Sequence, residues 1–182
     1  MMMQQDMQQI LFTQEQVAAR VREMAAQISQ DYAGKTPLVV GILRGSFIFM
    51  ADLVRAMEVP LTLDFMVASS YGAGTVSSGK VKIGLDLQED IAGRDVLLVE
   101  DILDTGNTLS KLVAELKGRR PASLKLCVLL DKPERRTKPI EADYVGFTIP
   151  DAFVVGCGLD YNQLYRQLPY IGILKPSVYE HP

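Results

Sequence analysis

The segment richest in chemistry runs Val96-Leu97-Leu98-Val99-Glu100-Asp101-Ile102-Leu103-Asp104-Thr105-Gly106-Asn107-Thr108-Leu109. A strongly apolar run ends in two carboxylates. A short turn with a third carboxylate, a glycine and two threonines then leads into a helical pattern. Main-chain N–H groups at a helix start lack intrahelical acceptors and sit at the positive end of the helix dipole, so such a turn can cradle a phosphate, with the hydroxyls of Thr105 and Thr108 beside it. Gly106 lets the main chain approach the ligand closely. Acids beside an anion site make sense if Glu100 and Asp101 address neutral ribose hydroxyls or a magnesium shell while the amides take the phosphate. The plainer reading is a strand–turn–helix junction with an Asp/Thr cap. The whole pattern, acid-acid-x-x-Asp-Thr-Gly-x-Thr after a buried strand, favours a functional site. It is not a Walker loop, because GxxxxGK[ST] occurs nowhere, and no GxGxxG follows a strand.

These residues need a scaffold, and the flanking sequence predicts one. Thr13-Gln14-Glu15-Gln16 fits a capping box, followed by Val17, Val21, Met24 and Ile28 at helical spacing and by Gly34 as a stop. Leu38 to Leu43 reads as a buried strand. Ser46 is placed to cap the next helix, whose inner face would hold Phe47, Met50, Val54 and Met57. Leu61 to Ala68 reads as a strand, Ser69 to Gly79 as a mobile Ser/Gly-rich loop, and Val81 to Leu87 as an antiparallel return. Asp95 to Glu100 is a strand, Thr108 to Lys117 a helix closed by Gly118, and Leu124 to Leu130 another strand. Shorter strands are expected at Tyr144 to Phe147 and Phe153 to Val155. Alternating strands and helices imply an α/β fold with a mostly parallel central sheet flanked by helices. No repeat, linker or composition break marks a second domain, so residues 1–182 are expected to form one. In ligand-binding open sheets of this kind, the site lies beyond the carboxyl ends of the strands.

Composition narrows the classes of function. The 182 residues are 48% hydrophobic with a formal net charge of -3, which gives no general attraction to nucleic acid. No apolar run is long enough to span a membrane, and Met1 to Ile10 lacks the order of a signal peptide, so a cytoplasmic protein is expected. The single histidine, His181, leaves no material for a histidine-based triad or zinc site. Cys127 and Cys157 make no disulfide framework.

The segment 96–109 resembles the phosphoribosyl pyrophosphate signature of the type I phosphoribosyltransferases. Leu43-Arg44-Gly45-Ser46, Ser69-Ser70-Tyr71, Leu130-Asp131-Lys132-Pro133 and Phe153-Val154-Val155-Gly156-x-Gly158-x-Asp160-Tyr161 are similar to the bacterial branch of the hypoxanthine(-guanine) phosphoribosyltransferase family, in the right order from about residue 10 to 175. The resemblance implies a fold with a flexible flap over roughly 69–82 and a small hood built from roughly 1–12 and 145–182. It implies magnesium-dependent transfer of a phosphoribosyl group from phosphoribosyl pyrophosphate to N9 of hypoxanthine and guanine. The transition state would be oxocarbenium-like, with positive charge on the sugar and negative charge on pyrophosphate.

Residue by residue, the resemblance gives Asp104 the purine N7 proton and has Asp104, Thr105, Gly106, Asn107 and Thr108 cradle the 5'-phosphate. Glu100 and Asp101 would address the ribose hydroxyls, directly or through metal and water. Arg44 and Gly45, after a cis peptide at Leu43, would form the pyrophosphate loop, joined by Arg166 and by Ser70 and Tyr71 of the flap. Lys132 would donate to the purine O6, Phe153 would stack on the ring, and Val154 would offer its main chain. Asp160 would lie beside the base and hold magnesium through water, with Glu100 and Asp101 also on the metal side. The expected partners are these small molecules and further copies of the chain, as a homodimer or homotetramer, with neither nucleic acid nor membrane. Some relatives carry Lys where this chain has Arg44 and Asn107; neither change removes an essential group.

Two alternatives stand beside this reading. One is a phosphoribosyltransferase for xanthine or a pyrimidine, against which Lys132 with Phe153 argues. The other is a regulator on the same fold that senses phosphoribosyl pyrophosphate and binds RNA or DNA. Its basic clusters would be Arg119-Arg120 and Arg135-Arg136, which are short and read as solvated surface.

Overall fold

The structure is a computed structural model and describes residues 2–70 and 81–180. In chain order the elements are α1 (Met2–Gln5), β1 (Met7–Phe12), α2 (Gln14–Asp31), β2 (Leu38–Ile42), α3 (Phe47–Ala56), β3 (Thr62–Ser70) and β4 (Val81–Leu85). Then come β5 (Asp95–Leu103), α4 (Asn107–Gly118), β6 (Ser123–Asp131), a 3-10 turn (Pro133–Arg135), β7 (Tyr144–Thr148), β8 (Val154–Val155), β9 (Ile171–Leu174) and α5 (Pro176–Tyr179). None of the described helices is long and apolar enough to cross a membrane.

Six strands form the main sheet in the order β4-β3-β2-β5-β6-β7. All neighbours are parallel except the edge pair β3–β4. The central strands β2, β5 and β6 are apolar on both faces because both faces are covered. Val39, Leu97, Val99, Cys127 and Leu129 pack with α2 and α3, whereas Val40, Leu98, Leu126 and Val128 pack with Leu109, Leu112 and Leu116 of α4. That alternation is the two-residue period of a strand, and it fixes register, since a one-residue slip would exchange the two faces. A separate antiparallel sheet, β1-β9-β8, carries the hood, with Met7, Val155, Tyr165 and Leu174 as its core. β7, which includes residue 145, belongs to the main sheet.

Several local expectations hold. The Gln16 N–H donates to Thr13 Oγ1 at 3.3 Å and the Thr13 N–H to Gln16 Oε1 at 2.9 Å, a complete capping box. Val17, Val21, Met24 and Ile28 are buried.

Others are corrected. Ser46 makes no side-chain cap; its hydroxyl donates to the Ile42 carbonyl at 2.6 Å. The inner face of α3 is Phe49, Met50 and Leu53; Phe47 is exposed and Val54 only half-buried. In Phe-Ile-Phe-Met-Ala-Asp-Leu-Val nearly every position is apolar, so periodicity alone cannot select a face and packing under α2 decides it. β5 continues through Glu100 and Asp101 to Leu103, so both carboxylates sit on a strand held by β6. Tyr71 and the loop expected over 71–79 lie outside the described residues.

Candidate active site

β2, β5 and β6 all end at one edge of the sheet, and the loops that leave them meet there. After β5 the chain turns through Asp104 and Thr105 to Gly106, which occupies the N-cap of α4 with φ +79°. An L-residue is strained in that conformation, and a Cβ at 106 would lie 2.6 Å from Ile140. Gly106, at the N-cap, supplies no side-chain cap. The Asn107 N–H donates to Thr105 Oγ1 at 3.3 Å. The amides of Asp104, Thr105, Gly106, Thr108 and Leu109 donate to no protein acceptor among the described residues. A row of unpaired N–H groups at a helix start is an anion site by charge and by geometry.

The carbonyls of the same turn are all taken. Leu103 O accepts from the Lys132 N–H at 3.0 Å, and Thr105 O accepts from the Thr137 N–H at 3.0 Å. Arg136 Nε donates to Asp104 O at 2.9 Å. Asp104 points a half-exposed carboxylate at Arg135, whose Nε stands 3.2 Å from Oδ1, an ion pair whose angles fall short of a hydrogen bond.

The two strand carboxylates are poorly neutralised. Glu100 Oε2 is buried without a hydrogen-bond partner, and burial, reinforced by Asp101, pushes its pKa well above the ordinary carboxylate range. Asp101 is 9% exposed, and burial pushes its pKa up to about 6, opposed in part by the Ile102 N–H and the Arg166 charge. Its carboxylate reaches the loop after β2, where a Cβ on Gly45 would lie 1.7 Å from Asp101 Oδ2. Only glycine fits there. The Leu43–Arg44 peptide just before it is cis, as the resemblance implies. Leu43, Arg44, Phe47, Phe65 and Arg166 line one cavity of about 290 Å³.

The loops after β6 and before β8 supply the third side. Lys132 is buried, and its Nζ donates to the Ala152 carbonyl at 2.9 Å, which sets the ammonium beside the Phe153 loop. Phe153 remains 39% exposed. Phe153 O accepts from the Leu174 N–H at 2.9 Å, so strand alternation turns the N–H and C=O of Val154 toward the free edge of β8. Asp160 is engaged: Arg166 Nη2 is 2.7 Å from Oδ1, and the Gln163 N–H donates to Oδ2 at 2.8 Å. Arg166 Nη1 also donates to Gly158 O at 2.7 Å. Ser70 closes β3 opposite Val81, and Tyr71 beyond it is not described.

Magnesium can be tested against this donor set. Among the described residues no three acidic, histidine or cysteine side chains converge into a cage. What exists is a pair of neighbouring carboxylates, Glu100 with one buried oxygen that has no partner and Asp101 buried and only partly offset by Arg166. That suits an ion that keeps much of its water and takes the rest of its oxygens from a phosphorylated ligand.

Some residues at the site gave no signal in the sequence. Arg135 and Asp151 form an ionic chain from Asp104 to Lys132, with Arg135 Nη1 3.6 Å and Lys132 Nζ 3.7 Å from Asp151 Oδ1. Tyr179 stacks on Phe153 at 4.9 Å between centroids and 21° between planes, and Tyr161 meets it edge-on at 5.6 Å. Of the Arg135-Arg136 pair, Arg135 is exposed, as expected of solvated surface, whereas Arg136 is largely buried and its guanidinium is spent on the turn.

Residues 7–162 match the model of the phosphoribosyl transferase domain. The chain belongs to that family. This phosphoribosyl transferase chain is 50% identical to the hypoxanthine-guanine phosphoribosyltransferase of Bacillus subtilis, over 98% of its own length and 99% of the relative's. It is 52% identical to the bifunctional protein TilS/HprT of Listeria innocua over 97% of its length, but spans only 27% of that longer protein. Among solved structures, it is similar to a hypoxanthine phosphoribosyltransferase from Staphylococcus aureus with a TM-score of 0.95 and 50% identity, covering 100% of this chain and 98% of the other. The type I phosphoribosyltransferase fold expected from the sequence is thus the fold observed.

Proposed function

We propose that this chain is a purine-salvage enzyme that transfers the phosphoribosyl group of phosphoribosyl pyrophosphate to N9 of hypoxanthine and guanine, giving the nucleotide and pyrophosphate. The observation that carries the reading is the set of unpaired amides at Asp104, Thr105, Gly106, Thr108 and Leu109, set near the Glu100 and Asp101 carboxylates and the loops bearing Lys132 and Phe153. The names of the Bacillus and Staphylococcus relatives favour the same substrates.

In this reading the amides of 104–108 and the Thr hydroxyls hold the 5'-phosphate. Glu100 and Asp101 hold the ribose hydroxyls and the metal shell, with Asp160 contributing through water. Bound magnesium would offset charge on the pyrophosphate as it leaves. Arg44, the Gly45 main chain and Arg166 receive that pyrophosphate, and Ser70 and Tyr71 close over it. Lys132 donates to the base O6, Phe153 stacks on the ring, and the main chain of Val154 meets the base edge at the free side of β8. The ribose C1–O bond breaks with its electron pair going to pyrophosphate, and the C1–N9 bond forms. Asp104 takes the proton that the base gives up at N7.

Leu63, Phe65 and Val67 of β3, Leu85 of β4 and Phe47 of α3 are exposed large apolar side chains. A second copy covering this surface fits the expected homodimer or homotetramer. Phosphoribosyl pyrophosphate and the product nucleotide are charged phosphates that do not cross a bilayer unaided, which favours a reaction in the cytoplasm.

The test is inosine monophosphate formation from hypoxanthine and phosphoribosyl pyrophosphate by purified protein, with and without magnesium. The expected result is magnesium-dependent turnover with hypoxanthine. Turnover with xanthine or a pyrimidine alone would move the substrate to the runner-up reading. No turnover with any base at saturating substrates and magnesium would reject the enzyme.

A further inference from the structure

We propose that Arg136 is the positioning residue of the phosphate turn. From behind the loop, it fixes the peptide planes whose N–H groups take the 5'-phosphate. This rests on the function proposed above.

In a trans peptide the carbonyl of one residue and the N–H of the next point in opposite directions. Fixing a carbonyl therefore aims the following amide the other way. Arg136 Nη2 donates to Leu103 O at 3.3 Å, which turns out the Asp104 N–H. Arg136 Nε donates to Asp104 O at 2.9 Å, which turns out the Thr105 N–H. The neighbouring Thr137 donates twice to Thr105 O, from its N–H at 3.0 Å and its hydroxyl at 3.1 Å, which turns out the Gly106 N–H. The amides aimed forward are the ones without a protein acceptor. Three consecutive planes are held from one side, and the opposite side is left to a ligand.

The guanidinium is itself fixed. Its Nη1 donates to Ile140 O at 2.6 Å, its Nη2 pairs with the Asp131 carboxylate at the end of β6, and the side chain is only 16% exposed. The stem of Arg136 and the side chains of Lys138 and Ile140 pack around Gly106, so the strap follows the turn closely. Only a planar fork with several donors can reach all of these acceptors together; lysine offers a single point of charge.

The experiment compares two ligands that use different parts of the site. Inosine monophosphate depends on the phosphate turn, whereas magnesium pyrophosphate depends on the Arg44–Gly45 loop. Arg136→Lys should weaken inosine monophosphate binding by about tenfold, in proportion to the loss of a charged hydrogen bond, and leave magnesium pyrophosphate binding within about twofold. Millimolar guanidinium should restore inosine monophosphate binding to Arg136→Ala. If Arg136→Lys does not fold, Asp131→Asn removes the charge that anchors the guanidinium and should give the same pattern, about threefold, by the same reasoning. Equal losses for both ligands, or no loss for inosine monophosphate in a folded variant, would overturn the inference. If the unaltered protein binds no inosine monophosphate, the proposed function fails instead.

Discussion

Asp101→Asn tests the electrostatics of the site through stability alone. Asp101 is buried against Gly45, and its pKa rises from 3.8 to about 6. As pH rises, the unfolded chain gives up this proton from about 3.8 upward, but the folded chain does so only near 6. The group therefore costs nothing below about pH 3.8, costs progressively more up to about pH 6, and then a constant amount. At 1.36 kcal/mol per pH unit, the penalty works out at about 1 kcal/mol at pH 4.5 and about 3 kcal/mol at pH 7.5. Asparagine has the same shape and keeps an oxygen for the Ile102 N–H, which donates to Asp101 Oδ1 at 2.7 Å. It also relieves Glu100 of a like charge. The variant should thus be more stable than the unaltered protein by a margin that widens with pH and approaches about 3 kcal/mol near neutrality. Urea denaturation followed by far-ultraviolet circular dichroism at pH 4.5, 6.0 and 7.5, without divalent cations, measures that margin. A difference that does not change with pH, or a variant less stable at pH 7.5 than the parent, would refute the reasoning.

Further outcomes follow from the same geometry. Asp104→Ala should lower kcat by about 10²- to 10⁴-fold, the usual worth of a positioned acid–base group, and change phosphoribosyl pyrophosphate binding much less; steady-state kinetics separates the two. Lys132→Met should raise KM for hypoxanthine by about 10- to 100-fold through loss of a charged donor, with KM for phosphoribosyl pyrophosphate little changed. Gly106→Ala should destabilise the fold by about 2 kcal/mol or more, because φ is +79° and the new methyl would meet Ile140, and thermal unfolding checks it.

The elements that could be read from the sequence are those whose determinants are local. The capping box of α2 is complete within Thr13 to Gln16, and the buried strands carry continuous apolar runs bounded by turn residues. The strand–turn–helix junction at 103–107 was legible because it needs only a strand, a glycine and a helix start. The face of α3 was not, since almost every residue in it is apolar and the choice belongs to α2 and the sheet. Arg136 reads as solvated in the sequence because two of its acceptors are main-chain carbonyls about thirty residues away, and a carbonyl leaves no mark in a sequence. Tyr179 reaches Phe153 only after β9 has paired with β8, so no spacing could announce that contact. Lys132 and Asp160 became candidates through family resemblance, and their surroundings (a buried ammonium on the Ala152 carbonyl, a carboxylate tied to Arg166) emerge only in three dimensions.

Amide chemical shifts of ¹⁵N-labelled protein titrated with inosine monophosphate, against inosine as control, put the most direct question to the phosphate turn. Large downfield proton shifts at Thr105, Gly106 and Thr108 with the nucleotide, absent with the nucleoside, are the expected result. Amides that stay unmoved while the nucleotide binds elsewhere would contradict the account.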